Sequence, residues 1–390
     1  MPVNYQQIRA SIKAAGQLAP IREREVQSRR DRVFELLDRY AHDLPALLER
    51  VQFTLAHIPD FRCALPGDQP INIDLPETKS PAPVILWAAD GSQIIPDSHL
   101  AVQFGVINVG LIRLAKGEPP HQSIDSQLLY ADDLFTSQGY LIGEELIALR
   151  RDYEEREALL FSAQKESIPV LTLTDGPIEL FREGKESREY QEKLAQYISI
   201  LSQMAELQVL TAGYVDKPRS DLVVRLLELQ ILSNEQLSKA DQIHSFQGVS
   251  DAEIFAQLLK PGDRSATFGL QSRAIKQFHG LLAIHFMYLN VGREGKPQIV
   301  RVEFPAWVAQ STESIQIIQH MLLEQCRQMG SKSYPYILHR AHETALVTYE
   351  ERNRLLDLIQ MEMQSQNIHT GETSNKLQAK NLPGKSRFGQ

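Results

Sequence analysis

The chain has 390 residues, of which 43% are hydrophobic and 23% charged, and its formal net charge at pH 7 is −8. This length suits one large domain with insertions or two domains. No apolar run approaches the roughly 20 residues of a membrane-spanning helix, and the first residues lack the apolar stretch of a secretory signal. Cys63 and Cys326 fit neither a disulfide framework nor a zinc knuckle. We therefore expect a cytoplasmic protein with no membrane segment. The net charge of −8 argues only against a protein that coats nucleic acid by non-specific attraction to its phosphates.

The N-terminal part is predicted to be a helical region over residues 1–58. Its apolar side chains, among them Val33, Leu36 and Leu37, recur at helical spacing. Residues 59–83 are rich in proline and polar groups, which predicts a linker.

From Val84 onward, short apolar runs alternate with amphipathic helices, which indicates an α/β domain over residues 84–363. Predicted strands lie at 84–90, 101–114, 168–175, 207–216, 281–292 and 297–305, and residues 126–135 fit either a strand or an extended connection. Predicted helices cover about 142–165, 183–206, 313–329 and 336–363, together with a mostly helical insertion at about 220–260. The polar tail from 364 to 390 is expected to be flexible.

Two of the predicted strands end in an Asp-Gly pair, Asp90-Gly91 and Asp175-Gly176. A carboxylate at the end of a buried strand is placed to project into a crevice above the sheet. Either pair alone is more simply explained as a turn, because Asp-Gly is a common turn dipeptide. Two such pairs after similar apolar strands favour a shared site.

The helix between these strands supplies a third acid. Glu155 shares a helix face with Arg151 and Leu159, but Asp152, Glu154 and Glu157 are also available, so the choice among the four acids stays open. Acids on a strand, a helix and the next strand are the arrangement with which RNase H-like nucleases hold two divalent ions. Mn²⁺ and Mg²⁺ prefer such hard oxygen ligands. We therefore expect an RNase H-like mixed sheet flanked by helices, with an N-terminal helical arm and the helical insertion.

A longer series of motifs resembles the NurA nuclease family. The segments occur in order along most of the chain: AADGS at 88–92, TDGP at 174–177, AGYVDKPRSDLVVRLL at 212–227, PGDRSATF at 261–268, FMYLNVG at 286–292, RVEFPAWVA at 301–309 and YPYILHRAHETA at 334–345. The resemblance implies manganese-dependent cleavage of DNA, 5′-to-3′ end resection in double-strand break repair, a homodimer, and a hexameric HerA-type ATPase as partner.

The same resemblance assigns site residues by position. Asp90 and Asp175 match the two strand-end metal ligands of the family, and Glu155 matches its helix glutamate in a register that the neighbouring acids blur. His342 matches the histidine of the C-terminal motif and is expected to bind metal or donate a proton, with His339 as its competitor. Pro177 stands where the family often has serine, which removes one backbone N–H donor.

Basic residues in two segments are candidates for holding DNA phosphates: Lys217, Arg219, Arg264 and Arg273. A solvated charged surface explains any one of them equally well, and Arg264 is preferred because it lies in the GDRSATF segment. No segment resembles a sequence-reading helix, so we expect little base specificity on single- or double-stranded DNA.

Two other functions compete with the nuclease. A catalytically silent adaptor that binds DNA and the ATPase would fit the acidic charge, the helical arm and Pro177. A phosphotransferase on a related sheet would need paired phosphate-binding loops, and the sequence contains no Walker A motif.

Overall fold

The computed structural model describes residues 4–78, 83–97, 100, 102–180, 187–330 and 332–368. The helices are α1 Tyr5–Arg39, α2 Leu44–His57, α3 Glu144–Ala163, α4 Arg188–Glu206, α5 Leu222–Glu228, α6 Asn234–Leu237, α7 Asp251–Leu258, α8 Ala306–Ala309, α9 Thr312–Gln328, α10 Tyr336–Ala345 and α11 Tyr349–Ser365. The strands are β1 Cys63–Pro66, β2 Ile85–Ile94, β3 Gly105–Leu114, β4 His121–Leu129, β5 Val170–Asp175, β6 Leu210–Val215, β7 Phe268–Gln271, β8 Ile284–Asn290 and β9 Ile299–Pro305. Short 3₁₀ turns lie at Ala131–Leu134, Leu229–Ile231, Ala240–Gln242, Arg273–Lys276 and Gly280–Leu282.

The described residues form two compact units. Unit 1 comprises those within 1–81, 176–180 and 212–335, and unit 2 those within 82–175, 181–211 and 336–390. Within the described residues, no helix is both long and apolar enough to cross a membrane.

Unit 2 contains a mixed sheet with the strand order β6-β5-β2-β3-β4, where β6 contributes its first two residues. Strand β2 pairs antiparallel with β3, β3 pairs antiparallel with β4, and β2 pairs parallel with β5. Buried apolar side chains fill β2, β3 and β5 on both faces, as expected of strands covered by helices on each side. Helix α3 packs on β2, and α10 packs on β2 and β3. This strand order confirms the predicted RNase H-like mixed sheet with flanking helices.

Unit 1 contains the antiparallel strands β1, β7, β8 and β9 and the last four residues of β6, in the order β1-β7-β8-β9-β6. Stacked aromatic rings of Phe255, Phe268, Phe286 and Tyr288 lie in its core. The predicted N-terminal helices are present as α1 and α2, and the predicted helical insertion as α5, α6 and α7.

Three local features differ from the sequence-based expectations. Residues 63–66 form a strand inside the predicted linker, because β1 pairs with the equally short β7. The predicted helix over 336–363 is two helices, since Thr348 begins α11 with a capping box to Glu351. The predicted tail is helical as far as Ser365, and residues 369–390 lie outside the described residues.

Candidate active site

Asp90 and Asp175 lie side by side on neighbouring parallel strands of unit 2. The last paired residues of β2 and β5 are Ala89 and Thr174, so the next position on each strand is an aspartate. Paired strands run about 4.8 Å apart and side chains at matched positions leave the sheet on the same face. Asp175 ends β5 and is exposed, whereas the Asp90 side chain is 16% exposed. The parallel register therefore brings together two acids that are 85 positions apart in the chain.

Asp90 is not at the end of its strand, which corrects the turn interpretation of Asp90-Gly91. Strand β2 continues to Ile94 because β3 pairs with it along its whole length, with Asp90 opposite Gly110. One carboxylate oxygen of Asp90 accepts the N–H of Gly91 at 2.9 Å. Asp175-Gly176, by contrast, does leave the sheet at the end of β5.

His342 is hydrogen-bonded to Asp90. Its Nδ1 lies 2.7 Å from Oδ2 of Asp90 and donates to that carboxylate, which leaves Nε2 as the acceptor in the neutral ring. The side chain of His342 is 60% exposed, so solvent can reach the ring. His339 lies 3.5 Å from Glu343 instead. His342 lies in the last turn of α10.

Two glycines allow the helices to come this close to Asp90. A Cβ on Gly110 would lie 2.6 Å from the Ala345 nitrogen and 2.8 Å from the Ala341 oxygen, both backbone atoms of α10. On the other face, a Cβ on Gly91 would lie 2.5 Å from Cγ of Arg151 and 2.7 Å from Oε1 of Glu155. A larger residue at Gly110 would push α10 away from the strand that carries Asp90, whereas one at Gly91 would first displace the side chains of Arg151 and Glu155.

Glu155 is the buried acid of α3. Its side chain is 8% exposed, and its Oε1 lies 3.3 Å from Nε of Arg151, which also pairs with Asp152 at 2.7 Å. Burial raises the pKa of Glu155 well above its usual value, and the negative charges of Asp152 and Asp90 raise it further while Arg151 opposes them. A cation bound nearby would therefore favour the ionised form of the Glu155 carboxyl.

The other helix acids have different surroundings. Glu157 accepts a hydrogen bond from the Tyr153 hydroxyl. Burial raises the pKa of Glu154, and the charge of Glu157 adds to the effect. Of the four candidates, Glu155 is the one whose carboxylate lies against Gly91, on the face of β2 opposite to His342, and its pKa is raised in part by the charge of Asp90. The packing therefore favours Glu155, which sequence spacing alone left open.

The basic candidates for DNA contact are all in unit 1, and they differ in exposure. Lys217, Arg219 and Arg273 are exposed, and Arg273 lies 3.9 Å from Asp60. Arg264 is 3% exposed, donates to the Ser265 carbonyl at 2.9 Å, and has its pKa lowered to about 10 by burial. The Arg264 guanidinium is thus hydrogen-bonded to the backbone of the GDRSATF segment and shielded from solvent. Its placement argues against the predicted contact with a DNA phosphate.

The donor set suits a hard divalent cation. Three carboxylates with one imidazole are the ligand types that Mg²⁺ and Mn²⁺ take, and Glu155 is a buried carboxyl whose ion-pair partner Arg151 is shared with Asp152. Within the described parts of the chain, no group of three or more His, Cys, Asp or Glu residues is already arranged to hold a metal ion. The residues thus fit the chemistry, and binding would require their carboxylates to turn toward one another.

Sequence reasoning missed the polar residues that support the site. Ser92 and Asn108 both contact the last turn of α10, and Asn108 is buried at 7% exposure. A signal was present, since an asparagine within the apolar strand GVINVGLIRL must find hydrogen-bond partners when buried.

Comparison with known proteins gives one family and several similar structures. The model of the NurA domain family matches residues 84–347. Comparison with curated proteins gives no match. Among solved structures, the chain is similar to the NurA nuclease from Sulfolobus solfataricus, with 13% identity, a TM-score of 0.49, and coverage of 85% of this chain and 98% of that one. It is also similar to the catalytic domain of human endonuclease V, with 13% identity, a TM-score of 0.32, and coverage of 80% and 94%.

Proposed function

The chain belongs to the NurA family, and on that premise we propose that it is a metal-dependent DNA nuclease. One observation carries the proposal: Asp90 and Asp175 occupy the same register on neighbouring parallel strands, and Asp90 also holds the imidazole of His342. Acids paired in this way, beside a buried Glu155, are the groups that phosphodiester hydrolysis with divalent ions requires.

The proposed ligands are Asp90, Asp175 and Glu155, with His342 as a fourth. Mn²⁺ or Mg²⁺ bound there, as two ions, would supply an activated water and charge stabilisation for the leaving oxygen. In the reaction, water attacks phosphorus, the P–O bond to the leaving sugar oxygen breaks, and that oxygen takes up a proton. In its doubly protonated form, His342 is suited to give this proton from Nε2, because Asp90 accepts the Nδ1–H and the side chain is 60% exposed.

The partners follow from family membership and remain part of the proposal. We propose 5′-to-3′ resection of DNA ends, a homodimer, and a HerA-type hexameric ATPase that moves DNA to the nuclease. Exposed Lys217, Arg219 and Arg273 are the candidates for backbone phosphate contact, which is independent of sequence.

Asp90→Asn tests the nuclease directly, because it keeps the shape of the side chain and removes its charge. We expect the cleavage rate of end-labelled linear DNA with Mn²⁺ to fall by about 100-fold or more, since a metal ion contributes several kcal/mol. Asp175→Asn should behave alike, whereas Glu157→Gln on the outer side of α3 should cleave at the wild-type rate. Equal rates for Asp90→Asn and wild type, at equal melting temperatures, would refute the assignment.

The same assay separates the nuclease from the silent adaptor. The adaptor would fit the acidic net charge, the N-terminal helices α1 and α2, and Pro177 after the second aspartate. It predicts DNA and ATPase binding by the wild type with no product under Mn²⁺, Mg²⁺ or any other divalent ion. Product that disappears with EDTA and returns with Mn²⁺ eliminates it.

A further inference from the structure

A row of three polar side chains crosses the sheet of unit 2 beneath the end of α10. Ser92 on β2 pairs with Asn108 on β3, and Asn108 pairs with Ser126 on β4. Residues directly opposite one another on paired strands point to the same face. The row therefore lies on the α10 side of the sheet, two positions along β2 from Asp90.

Two of the three side chains donate to one carbonyl, and the third donates to one of those two. The oxygen of Ala345, the last residue of α10, accepts Oγ–H of Ser92 at 2.5 Å and Nδ2–H of Asn108 at 2.7 Å. Ser126 donates to Oδ1 of Asn108 at 2.5 Å, which fixes the amide so that its nitrogen faces the helix. The last carbonyls of a helix lack partners within it, so this row completes the hydrogen bonding of the end of α10.

The clamped carbonyl is within one turn of His342. Ala345 follows His342 by three residues, and a helical turn has 3.6 residues. Gly110, two residues beyond Asn108 on β3, lets the backbone of the same turn rest on the strand. The polar row and Gly110 therefore both contact the last turn of α10, the turn that also carries His342 and its bond to Asp90.

We propose that Asn108 is a positioning residue for the nuclease: oriented by Ser126 and assisted by Ser92, it holds the last turn of α10 so that the His342 ring stays on Asp90. The proposal rests on the proposed function, in which Asp90 and His342 act on DNA. A cap that served stability alone would leave the placement of the ring, and therefore kcat, unaffected in molecules that remain folded.

The test compares variants of the row by kinetics and by the ring resonances of His342. Asn108→Asp replaces the donor facing Ala345 by an oxygen and should lower kcat about 10- to 100-fold, with KM within about twofold because DNA contacts are unchanged. Ser126→Ala should give a smaller loss, and Ser123→Ala, a serine of β4 on the other side of the strand, should give none. Ser92→Thr keeps the hydroxyl and should restore the rate that Ser92→Ala loses.

The spectroscopic readout does not depend on cleavage. In metal-free protein labelled with ¹⁵N-histidine, the His342 ring signals are assigned by their loss in His342→Gln and compared at one fixed pH. Asn108→Asp should move them toward the positions seen in Asp90→Asn, where the partner of the ring is altered. Unmoved signals with unchanged kcat would overturn the proposal, as would a rate loss that merely follows the fraction unfolded. If the wild type does not cleave DNA, the proposed function fails and the ring signals alone decide the positioning role.

Discussion

Gly110→Ala offers the most direct test of the packing that brings His342 to Asp90. The added Cβ would lie 2.6 Å from the nitrogen of Ala345 and 2.8 Å from the oxygen of Ala341. Both are backbone atoms of α10, so no side chain can rotate to relieve the contact. Reaching ordinary contact at 3.4 Å requires a movement of about 0.8 Å. The helix must lift from β3 or the strand must bend.

The expected cost has two parts. Overpacking of this kind destabilises by about 1–3 kcal/mol, which lowers the melting temperature by a few degrees. A displacement approaching 1 Å at a catalytic group costs about 100-fold in rate, so the loss of kcat should exceed what the remaining folded fraction explains. Cleavage of end-labelled DNA with Mn²⁺ and thermal melting by circular dichroism measure the two parts.

Gly105→Ala is the matched control on the same strand. The atom nearest to its Cβ would be the backbone oxygen of Ile94, at 3.1 Å. None of the three nearest atoms belongs to α10. It should lower stability slightly and leave kcat within about twofold. A Gly110→Ala enzyme with wild-type kcat, or one whose structure retains the His342–Asp90 bond unmoved, would refute the reasoning.

Three further predictions concern stability, pH and metal. Glu303 is fully buried, pairs with Arg301 at 2.8 Å and accepts the N–H of Ile178 at 2.9 Å. Glu303→Ala should therefore lower the free energy of unfolding, measured in urea, by about 3–5 kcal/mol. A loss below about 1 kcal/mol, the scale of exposed ion pairs, would contradict this prediction. Burial raises the pKa of Asp251 from 3.8 to about 6, so the folded state binds the proton more tightly and the wild type loses stability as pH rises from about 4 to about 6. The melting temperature of Asp251→Asn relative to wild type should therefore rise across that window, and a constant difference would contradict the raised pKa. EDTA should abolish DNA cleavage without changing the far-UV circular dichroism, because the described residues bury an extensive apolar core; unfolding of the protein on chelation would contradict this prediction.

Much of unit 2 was predictable because local patterns report burial. Apolar runs in β2, β3 and β5 and amphipathic spacing in α3 and α4 follow from which faces the sheet and helices must cover. The RNase H-like sheet, and the prediction that Asp90 and Asp175 bind metal, followed from those patterns and the ordered motifs. Their adjacency in the parallel register now supports the same site.

Features set by contacts between distant segments were not predictable from local patterns. Strands β1 and β7 have four residues each and exist because they pair with each other across about 200 positions. Strand β2 passes through Asp90-Gly91 without a turn because β3 pairs with it, and Glu155 stands out among the acids of α3 only through its approach to Gly91.

The sequence by itself determined the family and the sheet, and it predicted Asp90 and Asp175 as ligands for a divalent ion. Only the tertiary structure decided that His342 rather than His339 meets Asp90, and that Arg264 is buried within its unit. The physical reason is that periodicity encodes which face of an element is covered. The partner of a given side chain depends on register and on close approaches, such as that at Gly110, which arise only when distant segments pack.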